Sequence, residues 1–408
     1  MAPATTVNAS ELDIPVLEPD GSQVDRVADR AEAASKSWIA RNEFGYAVLH
    51  YDDVVAILRD KRWHSATSRV FELQGVAEPE TFARRPTSIL AAEGDEHTRL
   101  RRLVGPAFSP RAADRLRPFM REVMGELVDA IAPAGRSDFA VDVCDPYPIP
   151  IICELLGAPR GDWQLFSRWA SDVLRIFNGN LQEDLPAIVA AQDELDAYTR
   201  ELIAERRSKP ADDLLTALIA AEEAGDRLST AELVTMVEAV IIAGTDTTRN
   251  QLGCAVALFA SHPEQWALLA ERPELAPRAV EEVMRCFGAV RGTARFASVD
   301  IEYRGILFPQ GTFVAPVMAV ANRDPDVFDA PDVFDITHEP ARQPQLTFGS
   351  GIHFCLGAAL ARAELQEALP LLARRLPDVA VDGSITWKPN EVGIFGPEHL
   401  PITFTPGH

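Results

Sequence analysis

Apolar residues in this chain recur mainly at spacings of three and four, and strict alternation is confined to a few short pieces. The helical spacing begins near His97 and predicts helices over 115–131, 194–207, 213–224, 231–261, 275–286 and 356–375. Alternation predicts strands at 46–50, 300–303 and 312–316, with more strand-like residues closing the chain. A polar stretch over 72–86 reads as a loop, and the proline-rich run 322–345 is hostile to any helix. No repeat or linker divides the pattern. The expected architecture is mainly α with small β-sheets, in one domain over 1–408.

The long helix predicted over 231–261 carries an internal contradiction. It opens on Ser229-Thr230-Ala231-Glu232, a capping box in which hydroxyl and carboxylate satisfy free N–H groups. Its middle reads Ala243-Gly244-Thr245-Asp246-Thr247-Thr248. Glycine inside a helix costs about 1 kcal/mol relative to alanine, and threonine and aspartate are also poor choices. Local rules broken at one point of an otherwise consistent element mark a functional position. Two uses fit: a widened turn that admits water and lets Asp246 and Thr247 relay protons, or threonine hydroxyls that merely satisfy carbonyls one turn back.

Composition narrows the class. The 408 residues are 47% hydrophobic, enough to fill a large core, and no apolar run is long enough to span a bilayer. The first residues lack a basic start and an apolar stretch, so neither a signal peptide nor an anchor is expected. A net charge of −22 makes nucleic acid and anionic membranes poor partners. Five irregularly spaced cysteines give no disulfide framework or zinc site, which points to a reducing, cytoplasmic setting. One segment reverses the charge: between His97 and Arg121 stand seven arginines and a single acid, Asp114.

The chemistry concentrates around one cysteine. In Phe348-Gly349-Ser350-Gly351-Ile352-His353-Phe354-Cys355-Leu356-Gly357, the glycines permit a tight turn and close approach to a flat ligand. Cys355 falls at a helix start, where free N–H groups favour a thiolate. A thiolate among apolar residues suits an axial ligand to haem iron. A small buried hydrophobe, or a nucleophile with His353 as base, are the other readings, the latter with poor geometry for near neighbours in the chain.

These residues carry a resemblance. FGSGIHFCLG is similar to the haem-binding signature of the cytochrome P450 family. AGTDT at 243–247 resembles its oxygen-activation motif, Glu282-Val283-Met284-Arg285 its ExxR pair, and His97 to Arg102 the HxxxR start of its C helix. Order and separation agree over essentially the whole chain. The resemblance implies a cytochrome P450 fold with haem b between the long helix and the cysteine loop.

Residue by residue, the resemblance makes Cys355 the proximal iron ligand, with Phe348 and Gly349 of the same loop among the cofactor-binding residues. Asp246 and Thr247 would be the acid–alcohol pair that delivers protons for O–O cleavage, with Gly244 leaving room for O2. His97, Arg101, Arg295 and His353 would hold the propionates through charge-assisted bonds. Glu282 and Arg285 would be structural. Relatives often add an arginine near a PxxF element, but Pro331-Asp332-Val333-Phe334 has none, so the pair stands alone or borrows His338 or Arg342.

The arginine-rich segment would lie on the proximal face and receive an acidic ferredoxin, itself reduced by an NAD(P)H-dependent ferredoxin reductase. Family positions place Ile89, Leu90, Val240, Ala243, Val290, Thr293, Ile394 and Phe395 around a lipophilic small-molecule substrate. Steroid, terpenoid, fatty acid, polyketide and aromatic substrates all remain open. The expected activity is a monooxygenase, working as a monomer, that puts one atom of O2 into a C–H bond. A peroxygenase or nitric oxide reductase is the alternative chemistry, and a non-catalytic small-molecule-binding protein the alternative class.

Overall fold

The computed structural model describes residues 7–17, 23–223, 228–339, 342–388 and 394–406. Helices build most of it, gathered around a long central one, Thr230–Ala260. The capping box at its start is formed: Ser229 Oγ accepts from the Glu232 N–H, and the Glu232 carboxylate accepts from the Ser229 N–H. Against this helix pack Trp163–Leu174, Pro148–Leu156, Leu181–Ser208 and Ala276–Phe287, while Ala358–Arg375 lies along Pro110–Ile131. Their apolar faces merge into one large core.

Several helices begin earlier than their apolar pattern suggests. Pro110–Ile131 starts ahead of the predicted 115 because Ser109 caps it, its hydroxyl accepting from the Ala112 N–H at 3.3 Å. Proline fits the first helical position, where its missing N–H costs nothing. Leu181–Ser208 likewise runs well ahead of the predicted 194, with Pro186 in its opening turns. The polar stretch 72–86 contains a short helix, Glu80–Ala83, and the described part of 322–345 holds neither helix nor strand.

Strands are short and form small sheets. The largest has five strands in the order Ile39–Asn42, Gly45–Val48, Phe313–Pro316, Arg295–Ala297, Trp63–Ser65. It joins pieces far apart in sequence and sets Ser65 opposite Arg295. Gly45, at φ 146°, is required where this sheet turns, since any Cβ there would collide with the Phe313 carbonyl. Two further pieces matter for the site: an isolated bridge between Val290 and Ile394, and the pairing of Thr386–Trp387 with Pro397–His399. Among the described residues, no helix is long and apolar enough to cross a membrane.

Candidate active site

The cysteine loop is folded against a distant helix. Gly351, at φ 74°, lies so close to the helix Tyr51–Arg59 that a Cβ would strike the Leu58 carbonyl. Arg59 Nε donates to Ser350 Oγ at 3.0 Å, bracing the same contact. Gly349 also has positive φ, and the turn it permits lets the Cys355 N–H donate to the Phe348 carbonyl at 2.8 Å. The following helix begins at Ala358, two residues later than predicted, which leaves Cys355 ahead of its first turn. Burial pushes the Cys355 thiol up, while a bond from the Gly357 backbone and the charges of Arg101 and Arg362 favour the thiolate. Arg362 is itself fixed by Glu281, at 2.5 and 3.0 Å, and sits 4.4 Å from the Phe348 ring centre.

Beside this loop the structure gathers His97, Arg101, Arg295 and His353, as predicted for anion binding. The His97 and His353 rings are 4.6 Å apart, and Arg101 Nη1 donates to the Ile352 carbonyl at 3.3 Å. Arg295 is buried, and its Nη1 donates to Thr293 Oγ1 and the Ala294 carbonyl. Burial pushes the Arg295 guanidinium down to about 10 and the His97 imidazole below its ordinary value. Among the described residues, the sole carboxylate hydrogen-bonded into this cluster is Glu93, 3.1 Å from His353 Nε2. Glu93 also accepts from the Ser65 N–H at 2.6 Å, and burial, which raises its carboxyl, is outweighed by His353, the Ser65 N–H and the charge of His64 together. Two guanidinium groups, Arg295 buried and Arg101 half-buried, with two imidazoles beside them and one carboxylate in the cluster, suit a ligand that brings carboxylates of its own.

The long helix runs unbroken through Gly244. Thr245 Oγ1 donates to the Ile241 carbonyl and Thr247 Oγ1 to the Ala243 carbonyl, both at 2.7 Å, so the hydroxyls bond one turn back. A Cβ on Gly244 would collide with the Ile152 side chain, so this glycine allows the helix Pro148–Leu156 to close in. Asp246 is buried and ion-paired twice, to Arg249 and to Lys388 Nζ at 3.1 Å. Burial would raise its carboxyl, but these two cations outweigh it and hold it below the usual range. Arg249 extends the network to Asp145 at 3.2 Å and to the Ser167 and Ser171 hydroxyls.

Glu282 and Arg285 form a buried bidentate pair, both contacts 2.8 Å. Arg285 also donates to the carbonyls of Asn322, Pro331 and Val333, which ties the helix to the irregular proline-rich segment. Main-chain carbonyls thus do most of what a third side chain would do. His338 Nδ1 approaches Glu282 at 3.7 Å, and Arg342 is exposed.

The pocket positions divide. Val290 and Ile394 meet as a bridge, and the Phe395 N–H donates to the Ala289 carbonyl at 2.8 Å. Phe395 itself is enclosed, stacked on Trp387 with Arg291 against its other face. Thr293 serves Arg295, Val240 is buried, Ile89 is half-buried, and Ala243 and Leu90 are exposed. Sequence reasoning missed Glu93, Arg249, Arg362, Glu364 and Lys388. Arg249, three residues beyond Asp246, was visible in helical spacing. Lys388, 142 residues away, had no local signal.

The chain is similar to known proteins over most of its length. The Cytochrome P450 family model matches residues 161–272 and 265–377. Luteothin monooxygenase of Streptomyces thioluteus is 39% identical over 376 residues, covering 92% of each chain. Nocardicin C N-oxygenase of Nocardia uniformis is 36% identical, covering 88% of this chain and 89% of its own. The crystal structure of CalO2 superposes with a TM-score of 0.89 at 32% identity, covering 97% of this chain and 100% of that one. By the family model, the identity and coverage of these relatives and the shared fold, this protein belongs to the cytochrome P450 family and is a monooxygenase of that family.

Proposed function

We propose that this single-domain P450 inserts one atom of O2 into a C–H bond of a lipophilic small molecule in the cytoplasm, drawing its electrons from a ferredoxin. Two electrons and two protons accompany each O2, and the second oxygen atom leaves as water. The observation that supports this reading best is the group of half-buried Arg101 with buried Arg295 and His97 beside Cys355, in which Glu93 is the one carboxylate bonded among the described residues. That donor set fits haem b, whose two propionates balance the cations. Haem, when bound, supplies the redox chemistry that activates O2.

The chain's own residues do the rest. Cys355 would hold the iron as a thiolate, a form favoured by the Gly357 backbone and the nearby guanidinium groups. Arg101, Arg295, His97 and His353 would hold the propionates beside the loop. Thr247 Oγ1 can turn its proton away from the Ala243 carbonyl toward the oxygen site. Asp246 can restore that proton only after its carboxylate has loosened from Arg249 or Lys388 and taken up a proton from solvent. Val240, Ala243, Val290 and Ile394 offer the substrate apolar walls that exclude water.

The test is the absorption spectrum of the reduced protein under carbon monoxide. The wild type should show the thiolate-type Soret band, and Cys355→Ala should lose it while keeping a folded circular dichroism spectrum. An unchanged band in Cys355→Ala would remove the assignment.

A further inference from the structure

Arg85 holds three elements together at one point. From the segment between Glu80–Ala83 and the helix Gly94–Val104, its guanidinium pairs with Asp196 on Leu181–Ser208, at 3.3 Å, and with Glu238 on the long helix. Glu238 is only 3% exposed, and its second oxygen has no hydrogen-bond partner among the described residues. A buried carboxylate held by one guanidinium is strongly bound to it, because parting leaves an uncompensated charge.

Other ties join the same region but stay on its outer side. The Gln74 amide donates to the Ile176 carbonyl at 2.7 Å and accepts from the Leu181 N–H at 3.2 Å. Val70, Phe71, Leu181 and Ile188 form a small apolar cluster separate from the main core. Arg85 alone among these contacts reaches inward to the long helix, on the stretch that carries Val240 and Ala243. It also directly precedes the stretch that carries Ile89 and Leu90.

We propose that Arg85 is a latch on substrate access: the 74–90 segment opens, and a substrate reaches the space around Ala243, only when the Arg85–Glu238 and Arg85–Asp196 pairs part. The proposal rests on the haem-binding reading above, which puts the pocket beside Ala243. Protonating Glu238 removes the charge that Arg85 holds. Burial pushes this carboxyl up to about 7, with Asp196 adding to the rise and Arg85, Arg200 and the Gln192 amide opposing it. Acidification through neutrality therefore loosens the latch.

Stopped-flow binding of 4-phenylimidazole to the ferric holoenzyme reads the latch as an association rate. Arg85→Met should associate about fivefold faster or more, with Arg85→Lys in between. Expressed per neutral, unprotonated ligand, the wild-type rate should rise between about pH 8 and pH 6, and Glu238→Gln should abolish that rise. Backbone hydrogen exchange over 74–90, followed on the same proteins, should quicken in Arg85→Met. A wild-type or slower association rate in Arg85→Met overturns the proposal. If 4-phenylimidazole gives no spectral response even in the wild type, the haem reading fails, and the exchange data decide the latch: unchanged exchange over 74–90 overturns it.

Discussion

Glu364 is a carboxylic acid in a place that rejects charge. It is buried on the helix Ala358–Arg375, with one oxygen accepting from Thr248 Oγ1 at 3.1 Å and the other without a partner among the described residues. Burial pushes it up to about 8, from an ordinary value of 4.5. The unfolded chain ionises this group above the ordinary value, while the folded chain keeps the proton until near 8. Folded protein thus binds more protons across that window, and its contribution to stability falls as pH rises through it. Glu364→Gln should flatten this decline and raise the urea midpoint at about pH 8, on the order of 1 kcal/mol or more, with little change near pH 5. An equal decline in wild type and variant would show that Glu364 is not its source. Single residues differ in how openly the chain announces them. Cys355 and Asp246 were legible because their neighbours broke local rules. Glu364 was hidden in an ordinary helical pattern, and only tertiary enclosure makes it unusual.

Helices and strands sort by the same logic. The long helix was legible almost to the residue, because a capping box marked its start and apolar periodicity its length. The helices Pro110–Ile131, Pro148–Leu156 and Pro263–Glu271 were cut short or missed, since each opens on a proline that pattern reading treats as a breaker. The five-stranded sheet was only partly visible: its strands are three or four residues long and take their pairing from distant segments. The helix Ala276–Phe287 is joined to the proline-rich segment chiefly through Arg285, whose guanidinium serves three carbonyls there. Glu282→Ala would leave that guanidinium buried without its carboxylate, at a cost of about 3–5 kcal/mol. The expected result is a lower thermal midpoint and less haem per folded chain. A midpoint within a degree or two of wild type would mean that the carbonyls alone suffice.

At the scale of the molecule, charge is distributed rather than uniform. Of the arginines between His97 and Arg121, Arg99 pairs with Glu232, Arg117 with Asp114 and Glu367, and Arg121 with Glu367, while Arg101 turns inward. Arg102, Arg111 and Arg115 are exposed and make no ion pair among the described residues. Among the described residues, these three are the cations of that segment left for a partner, and Phe354 of the cysteine loop is exposed as well. Replacing all three with glutamine should slow reduction by an acidic ferredoxin about tenfold at low salt and weaken its salt dependence. Reduction by dithionite should be unaffected. An unchanged ferredoxin rate would move the docking surface elsewhere.

The contact between Gly351 and the Leu58 carbonyl has a consequence for biosynthesis. The loop that carries Cys355 takes its shape on the helix Tyr51–Arg59, which is synthesised long before the loop itself emerges. Arg295, from the sheet, must also be in place before both sides of the pocket exist. A nascent chain that has not yet released the cysteine loop therefore offers haem no complete grip, and cofactor capture has to wait for that loop. Chains truncated before the C-terminal helix should accumulate as colourless apoprotein, so that pigment in the cell reports finished molecules rather than total translation.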